Sequence, residues 1–152
     1  MMIPLDETHD AKRKSWVASA NGHTDFPIQN LPFAIFSAAN VKGDTPRGGV
    51  AIGDQVFDLN AACDAKLFTG EAVTAARAAS ASTLNALMAL GAGPRAALRK
   101  QLSALLAEGT AESKRAQPLA ATLLHKTADC ALHLPAKIGA FTDFFAGIQH
   151  AE

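Results

Sequence analysis

Gly49-Val-Ala-Ile52 and Gln55-Val-Phe-Asp-Leu59 flank the dipeptide Gly53-Asp54, and this stretch constrains the fold more than any other. Two short β-prone runs joined by two residues predict a tight antiparallel hairpin, because a glycine in the link can adopt the backbone of a primed turn. Val50 and Ile52 then alternate onto one face of the sheet. Phe33-Ala-Ile-Phe-Ser37 reads as a second strand region and Ser15-Trp-Val17 as a short third one. Ala128-Asp-Cys-Ala-Leu-His-Leu-Pro135 alternates loosely and stops at proline, which suits a strand or an extended run. Between them, Asn21-Gly22 signals a turn. Pro27 and Pro32 push their predecessors toward extended backbone, so residues 26–33 read as a stiff connector. Several short strands around one hairpin suggest a small antiparallel barrel.

The segments after the hairpin are rich in alanine and read as helical. A short helix is expected to leave the sheet at Asp58-Leu-Asn-Ala-Ala62. Glu71 to Ala79 has helical propensity but few large apolar residues, which predicts a weakly anchored helix. Leu84, Leu87 and Met88 form an i, i+3, i+4 stripe that Ser82 could cap and Gly91 could end. Gly93-Pro94 opens the strongest helix, with Leu98, Leu102, Leu105 and Leu106 on one side and Gly109 as its stop. Residues 111–117 read as a polar link, and 119–124 as apolar but ambiguous between helix and extended chain. The fold class this gives is α+β.

Composition excludes several functions. The chain has 152 residues, enough for one domain or one domain and the beginning of another. Fourteen Lys and Arg balance 14 Asp and Glu, so no net charge favours nucleic acid or an anionic membrane. No apolar run approaches the roughly 18–20 residues of a membrane span, and the N-terminus lacks an apolar signal core. These features predict a cytoplasmic protein with neither nucleic acid nor membrane as partner. Cys63 and Cys130 fit no metal spacing and read as reduced. Residues 1–14 are polar and read as a flexible N-terminal extension, in which Lys12-Arg-Lys14 is a solvated basic cluster.

Chemistry concentrates in the last segment, His133-Leu-Pro-Ala-Lys-Ile-Gly-Ala-Phe-Thr-Asp-Phe-Phe-Ala-Gly-Ile-Gln-His-Ala151. Asp143 and His150 stand seven residues apart. If Thr142 caps a helix that Asp143 opens, almost two turns separate them and both side chains share a face. A metal-holding carboxylate beside a general base would fit that arrangement. A first-turn carboxylate and an unrelated surface histidine fit it too. His9, His23, His125 and His133 lack spaced His or Cys partners, so none is expected to bind metal; His133 is expected to be packed or hydrogen-bonded.

That last segment, together with Gly22-His-Thr-Asp-Phe-Pro-Ile-Gln-Asn-Leu-Pro-Phe33 and Pro46-Arg-Gly-Gly-Val-Ala-Ile-Gly-Asp-Gln-Val-Phe-Asp-Leu59, resembles the fumarylacetoacetase family. The three blocks occur in the family's order and span nearly the whole chain after its first fifteen or so residues. The resemblance implies an SH3-like N-terminal barrel with packed helices over 15–118. It also implies a connector and the truncated start of a catalytic domain over 119–152. By its match to the family's motif, Asp143 would be a ligand of a Ca²⁺ or Mg²⁺ ion, whose further acidic ligands lie farther along the chain. His150 would activate water for attack on a diketo acid, the small-molecule substrate. Phe145 stands at a substrate-binding position where the family usually carries tyrosine, so a hydroxyl is missing. Ala140 replaces a common aspartate.

The full-length enzyme implied is a homodimeric hydrolase that cleaves a carbon–carbon bond of 4-fumarylacetoacetate in tyrosine and phenylalanine catabolism. Residues 1–152 alone are expected to be nearly inactive. A second reading is a non-enzymatic structural or regulatory module that acts with a partner chain. A third, a self-sufficient hydrolase using Asp143 and His150, lacks a neighbouring acidic cluster.

Overall fold

A computed structural model describes residues 5–39, 41–144, 146–150 and 152. Its centre is a five-stranded antiparallel sheet: β1 (Phe33–Ala38), β2 (Arg47–Ile52), β3 (Gln55–Asp58), β4 (Leu124–Lys126) and β5 (Cys130–His133). Their spatial order is β4-β3-β2-β1-β5, so β4 and β5 form the two edges. The architecture is α+β, with the sheet open at these two strands.

The hairpin forms as its sequence dictates. Ile52 pairs with Gln55 and Gly49 with Asp58, and Gly53 takes φ 53°, the sign a primed turn needs. The turn is tied from outside as well: the Gly53 amide donates to the Phe26 carbonyl at 2.8 Å and the Asp54 amide to Ser19 Oγ at 3.1 Å. Val50 and Ile52 are fully buried and join Ile35 and Phe57 in the core beneath the helices.

Among the described residues six α-helices accompany the sheet: α1 (Leu59–Asp64), α2 (Glu71–Ala79), α3 (Asn85–Ala89), α4 (Ala92–Leu106), α5 (Ala111–Ala116) and α6 (Ala120–Leu123). Asp58 ends β3 and caps α1 in one step, its carboxylate accepting from the Ala61 amide at 3.0 Å. The leucine stripe of α4 is realised as read: Leu98, Leu102, Leu105 and Leu106 are buried. Each such side chain contributes about 1.5–3 kcal/mol when withdrawn from water.

Several expectations are corrected. Helix α2 is not weakly anchored, because Ala72, Ala75, Ala76 and Ala79 are fully buried. Small side chains let backbones approach closely, and a Cβ on Gly48 of β2 would sit 1.6 Å from the Ala79 carbonyl oxygen. The stripe at Leu84 holds only in part: Leu84 and Leu87 are buried but Met88 is exposed, and the helix starts at Asn85 without a cap from Ser82. Residues 111–116 are a helix and not a polar link, since Thr110 Oγ1 accepts from the Ser113 amide at 2.9 Å and donates to the Ala104 carbonyl at 2.6 Å.

Ser15-Trp-Val17 makes only a single bridge, Ser15 to Ala107, and no strand. Its polar groups instead satisfy the carbonyls at the end of α4. Trp16 Nε1 donates to Leu105 O at 2.8 Å, and Ser15 Oγ to Leu106 O at 2.7 Å. Helix α4 therefore ends at Leu106, ahead of Gly109. The preceding residues are held along the same helix: Arg99 Nε donates to Thr8 Oγ1 at 3.1 Å, and Arg13 Nη2 to Ser103 O at 3.3 Å. No helix among the described residues is long and apolar enough to cross a membrane.

Candidate functional site

Strand β5 sets the course of the terminal segment. His133 lies opposite Ile35 on β1, and its Nε2 is 2.8 Å from Ser37 Oγ, so this histidine is hydrogen-bonded as expected. Two residues on, the Leu84 amide donates to the Pro135 carbonyl at 2.7 Å. Asn85, the first residue of α3, then grips Lys137 twice. Its Nδ2 donates to the Lys137 carbonyl at 3.0 Å, and its Oδ1 accepts from the Lys137 amide at 2.8 Å.

Past this point the chain leaves the sheet. Residues 137–144 form no regular secondary structure. The expected helix opened by Asp143 is absent there, and the carboxylate of Asp143 is exposed. The physical reason is length: a segment this short, bounded by Gly139 and Gly147, has too few hydrogen bonds to offset nucleation without something to pack against. The backbone of His150 lies in a 3₁₀ turn, Ile148–His150. The side chain of His150, and all of Phe145, fall outside the described residues. The described backbone at 143–144 and 146–150 is not one α-helix, and the placement of the His150 side chain relative to Asp143 lies outside the described residues. Along this segment Ile138, Phe141, Phe144 and Ile148 are all exposed, Phe141 by 87%.

Asp143 alone cannot hold a divalent cation. Ca²⁺ takes about six to eight oxygens and Mg²⁺ about six, whereas one carboxylate supplies two at most. No group of three or more His, Cys, Asp or Glu residues poised for a metal occurs among the described residues. His23 and His9 serve local turns instead. Nδ1 of His23 accepts from the amides of Asp25 and Phe26, and Nδ1 of His9 lies 3.1 Å from Asp6 Oδ1.

A second polar constellation, not anticipated from the sequence, covers the sheet face opposite the helical core. Arg47 Nε donates to Asp58 Oδ2 at 2.6 Å, and its Nη1 to both oxygens of Asp44 at 2.8 and 2.9 Å. Its guanidinium lies 4.6 Å from the ring centre of buried Phe36. Burial opposes the charge on Arg47, but the bonds from Asp44 and Asp58 outweigh it and raise the pKa. Asp44 is held below the ordinary carboxyl value, chiefly by the Ala38 amide and then by Arg47.

His125 of β4 completes the group. Its ring tilts against Phe36 with centres 5.3 Å apart, and its Nε2 is 3.3 Å from Asp58 Oδ2. That distance permits an ion pair, yet the geometry is not that of a hydrogen bond, and Nε2 is buried without a hydrogen-bond partner among the described residues. An open groove of about 620 Å³ lies beside it, lined among others by Asn60, Asp64 and Thr122. Arg47, through Nε and Nη1, ties β2 to the loop before it and to the start of α1. Its role there is bracing. The sequence signal was the Pro-Arg-Gly-Gly run, while the pairing of His125 with residues sixty and more positions earlier left no local trace.

The Pro-Arg-Gly-Gly hairpin, the sheet it enters and the run-in at His133–Lys137 define a domain of the fumarylacetoacetase N-terminal family, whose model matches residues 29–135; the chain belongs to that family. Among particular proteins it is 43% identical over 140 residues to a fumarylacetoacetase of Caenorhabditis elegans, which covers 91% of this chain and 32% of the relative. The fumarylacetoacetase of Rattus norvegicus is 40% identical and that of Homo sapiens 39%, each over 130 residues, or 84% of this chain and 30% of the relative. The chain thus spans about a third of the length of the curated relatives it matches.

Proposed function

We propose that residues 1–152 are the N-terminal portion of a fumarylacetoacetase-like hydrolase whose full-length form cleaves a carbon–carbon bond of 4-fumarylacetoacetate. The observation that carries this reading is the overlap of two things. The family match ends at residue 135, where β5 has just passed into the segment bearing Asp143 and His150. The products would be fumarate and acetoacetate, as in tyrosine and phenylalanine catabolism.

In this reading His150 accepts the proton of the attacking water, a task for which an imidazole is matched near neutral pH. Asp143 would be one ligand of a Ca²⁺ or Mg²⁺ ion, whose remaining oxygens come from outside the described residues; the ion would polarise the oxygens of the diketo acid. Phe145, where the family usually has tyrosine, would contact the substrate through its ring alone. We take the five-stranded sheet as the opened form of an SH3-like barrel. The first domain would then run past residue 118 to include β4 and β5, with the catalytic portion starting beyond them. The exposed Phe141 and Phe144 are suited to being covered by that catalytic portion, in a cytoplasmic homodimer.

The test is steady-state hydrolysis by the full-length protein with His150→Gln and Asp143→Asn. His150→Gln should lower kcat by about 10²–10⁴-fold, the range for a positioned base. Asp143→Asn should weaken Ca²⁺ or Mg²⁺ binding measured by calorimetry. Wild-type turnover that survives both substitutions would overturn the assignment. A stable complex of this chain with a separate protein, and no hydrolysis by any form, would favour a non-enzymatic module instead.

A further inference from the structure

Resting on the reading above, we propose that Asn85 is a positioning residue: its paired hydrogen bonds to Lys137 fix the point and direction at which the segment carrying Asp143 and His150 leaves the sheet. The argument is geometric. A carboxamide offers a donor and an acceptor side by side, and here both engage the peptide groups of one residue, at 3.0 Å to Lys137 O and 2.8 Å from Lys137 N. One hydrogen bond leaves a segment free to pivot, whereas two opposed bonds to the same residue set its orientation.

The grip is anchored on both sides. On one, α3 is fixed by buried Leu84 and Leu87. On the other, the incoming chain is held by the Ser37–His133 contact at 2.8 Å and by the Leu84 amide on Pro135 at 2.7 Å. The hold of Asn85 on Lys137 is the last of these, and Lys137 is six residues before Asp143. Its side chain lies on the surface, and the bonds it makes are to backbone. The clamp therefore reads no particular side chain at position 137 and adds little to the core.

The experiment compares Asn85→Ala and Asn85→Asp with wild type. Hydrogen exchange on residues 1–152 should show the Lys137 amide exchanging about tenfold faster in Asn85→Ala, with the amides of β1 and β2 unchanged as an internal control of folding. Asn85→Asp keeps the acceptor for that amide and loses the donor, so its Lys137 amide should stay near wild type. In the full-length protein, Asn85→Ala should lower kcat about tenfold with little change in KM or Tm, and Asn85→Asp should fall between. Unchanged exchange at Lys137 in Asn85→Ala would overturn the clamp. Faster exchange with wild-type kcat would overturn the positioning role. Absence of any turnover in the wild-type full-length protein would instead count against the hydrolase reading, and the clamp would then stand or fall by exchange alone.

Discussion

Arg47 is the side chain through which three parts of the fold are held in register, since it joins Asp44 in the loop, Asp58 at the start of α1 and the ring of Phe36. Its partner Asp44 makes the bond measurable. A carboxyl held below its ordinary value, 3.8 here, adds stability above the unfolded value and loses it as the pH falls through the folded one. Asp44→Asn should therefore be less stable than wild type near pH ~7, with the gap closing as the pH drops below about 4. Urea midpoints at several pH values check this, and a gap independent of pH would contradict it. Gly48 is constrained by space alone. Adding a methyl there meets backbone at Ala79, so Gly48→Ala should cost about 1–3 kcal/mol or more, read as a fall in Tm. At this scale the sequence was only partly legible. The hydrogen bond of His133 could be expected from its place beside a strand, but His125 and Asn85 acquire their partners through chain crossings that no local spacing encodes.

Elements were legible wherever a period or a turn residue spoke for them. The hairpin around Gly53-Asp54 and the leucine stripe of α4 follow from sequence because burial there falls on large apolar residues at the spacing of the element. Helix α2 misleads because its buried face is built from alanine, whose contribution comes from close approach and not from area. Helix α5 was hidden for a different reason. Its signal is one cap, Thr110, in a stretch whose charged residues Glu112, Lys114 and Arg115 face water. Thr110→Ala removes the cap and the bond to Ala104, and should lower stability by about 1–2 kcal/mol. Denaturant unfolding with an unchanged m-value would report that loss, and a midpoint equal to wild type would contradict the capping role. Ser15-Trp-Val17 misleads in the opposite direction: a β-prone tripeptide is spent on the carbonyls at the end of α4.

For the whole molecule, the α+β class follows from the succession of short strands and alanine-rich helices. The order of the sheet does not, because β4 and β5 return from more than sixty residues away to flank the hairpin and β1. On the proposed reading β5 matters most for function, since it feeds the segment on which Asp143 and His150 lie. The candidate site was legible as a motif and not as a geometry. Among the described residues after Lys137 there is no α-helix, and one carboxylate is no cage for a divalent ion.

On the proposed reading, the described fold is a platform that delivers Asp143 and His150 to a site completed elsewhere. The most direct test is the rate of 4-fumarylacetoacetate hydrolysis, followed by the loss of substrate absorbance with Ca²⁺ or Mg²⁺ present. It should be measured for residues 1–152 alone and for the full-length protein. Turnover is expected from the full-length protein and none above background from residues 1–152. Metal-dependent turnover by residues 1–152 alone, or none by the full-length protein, would contradict that reading.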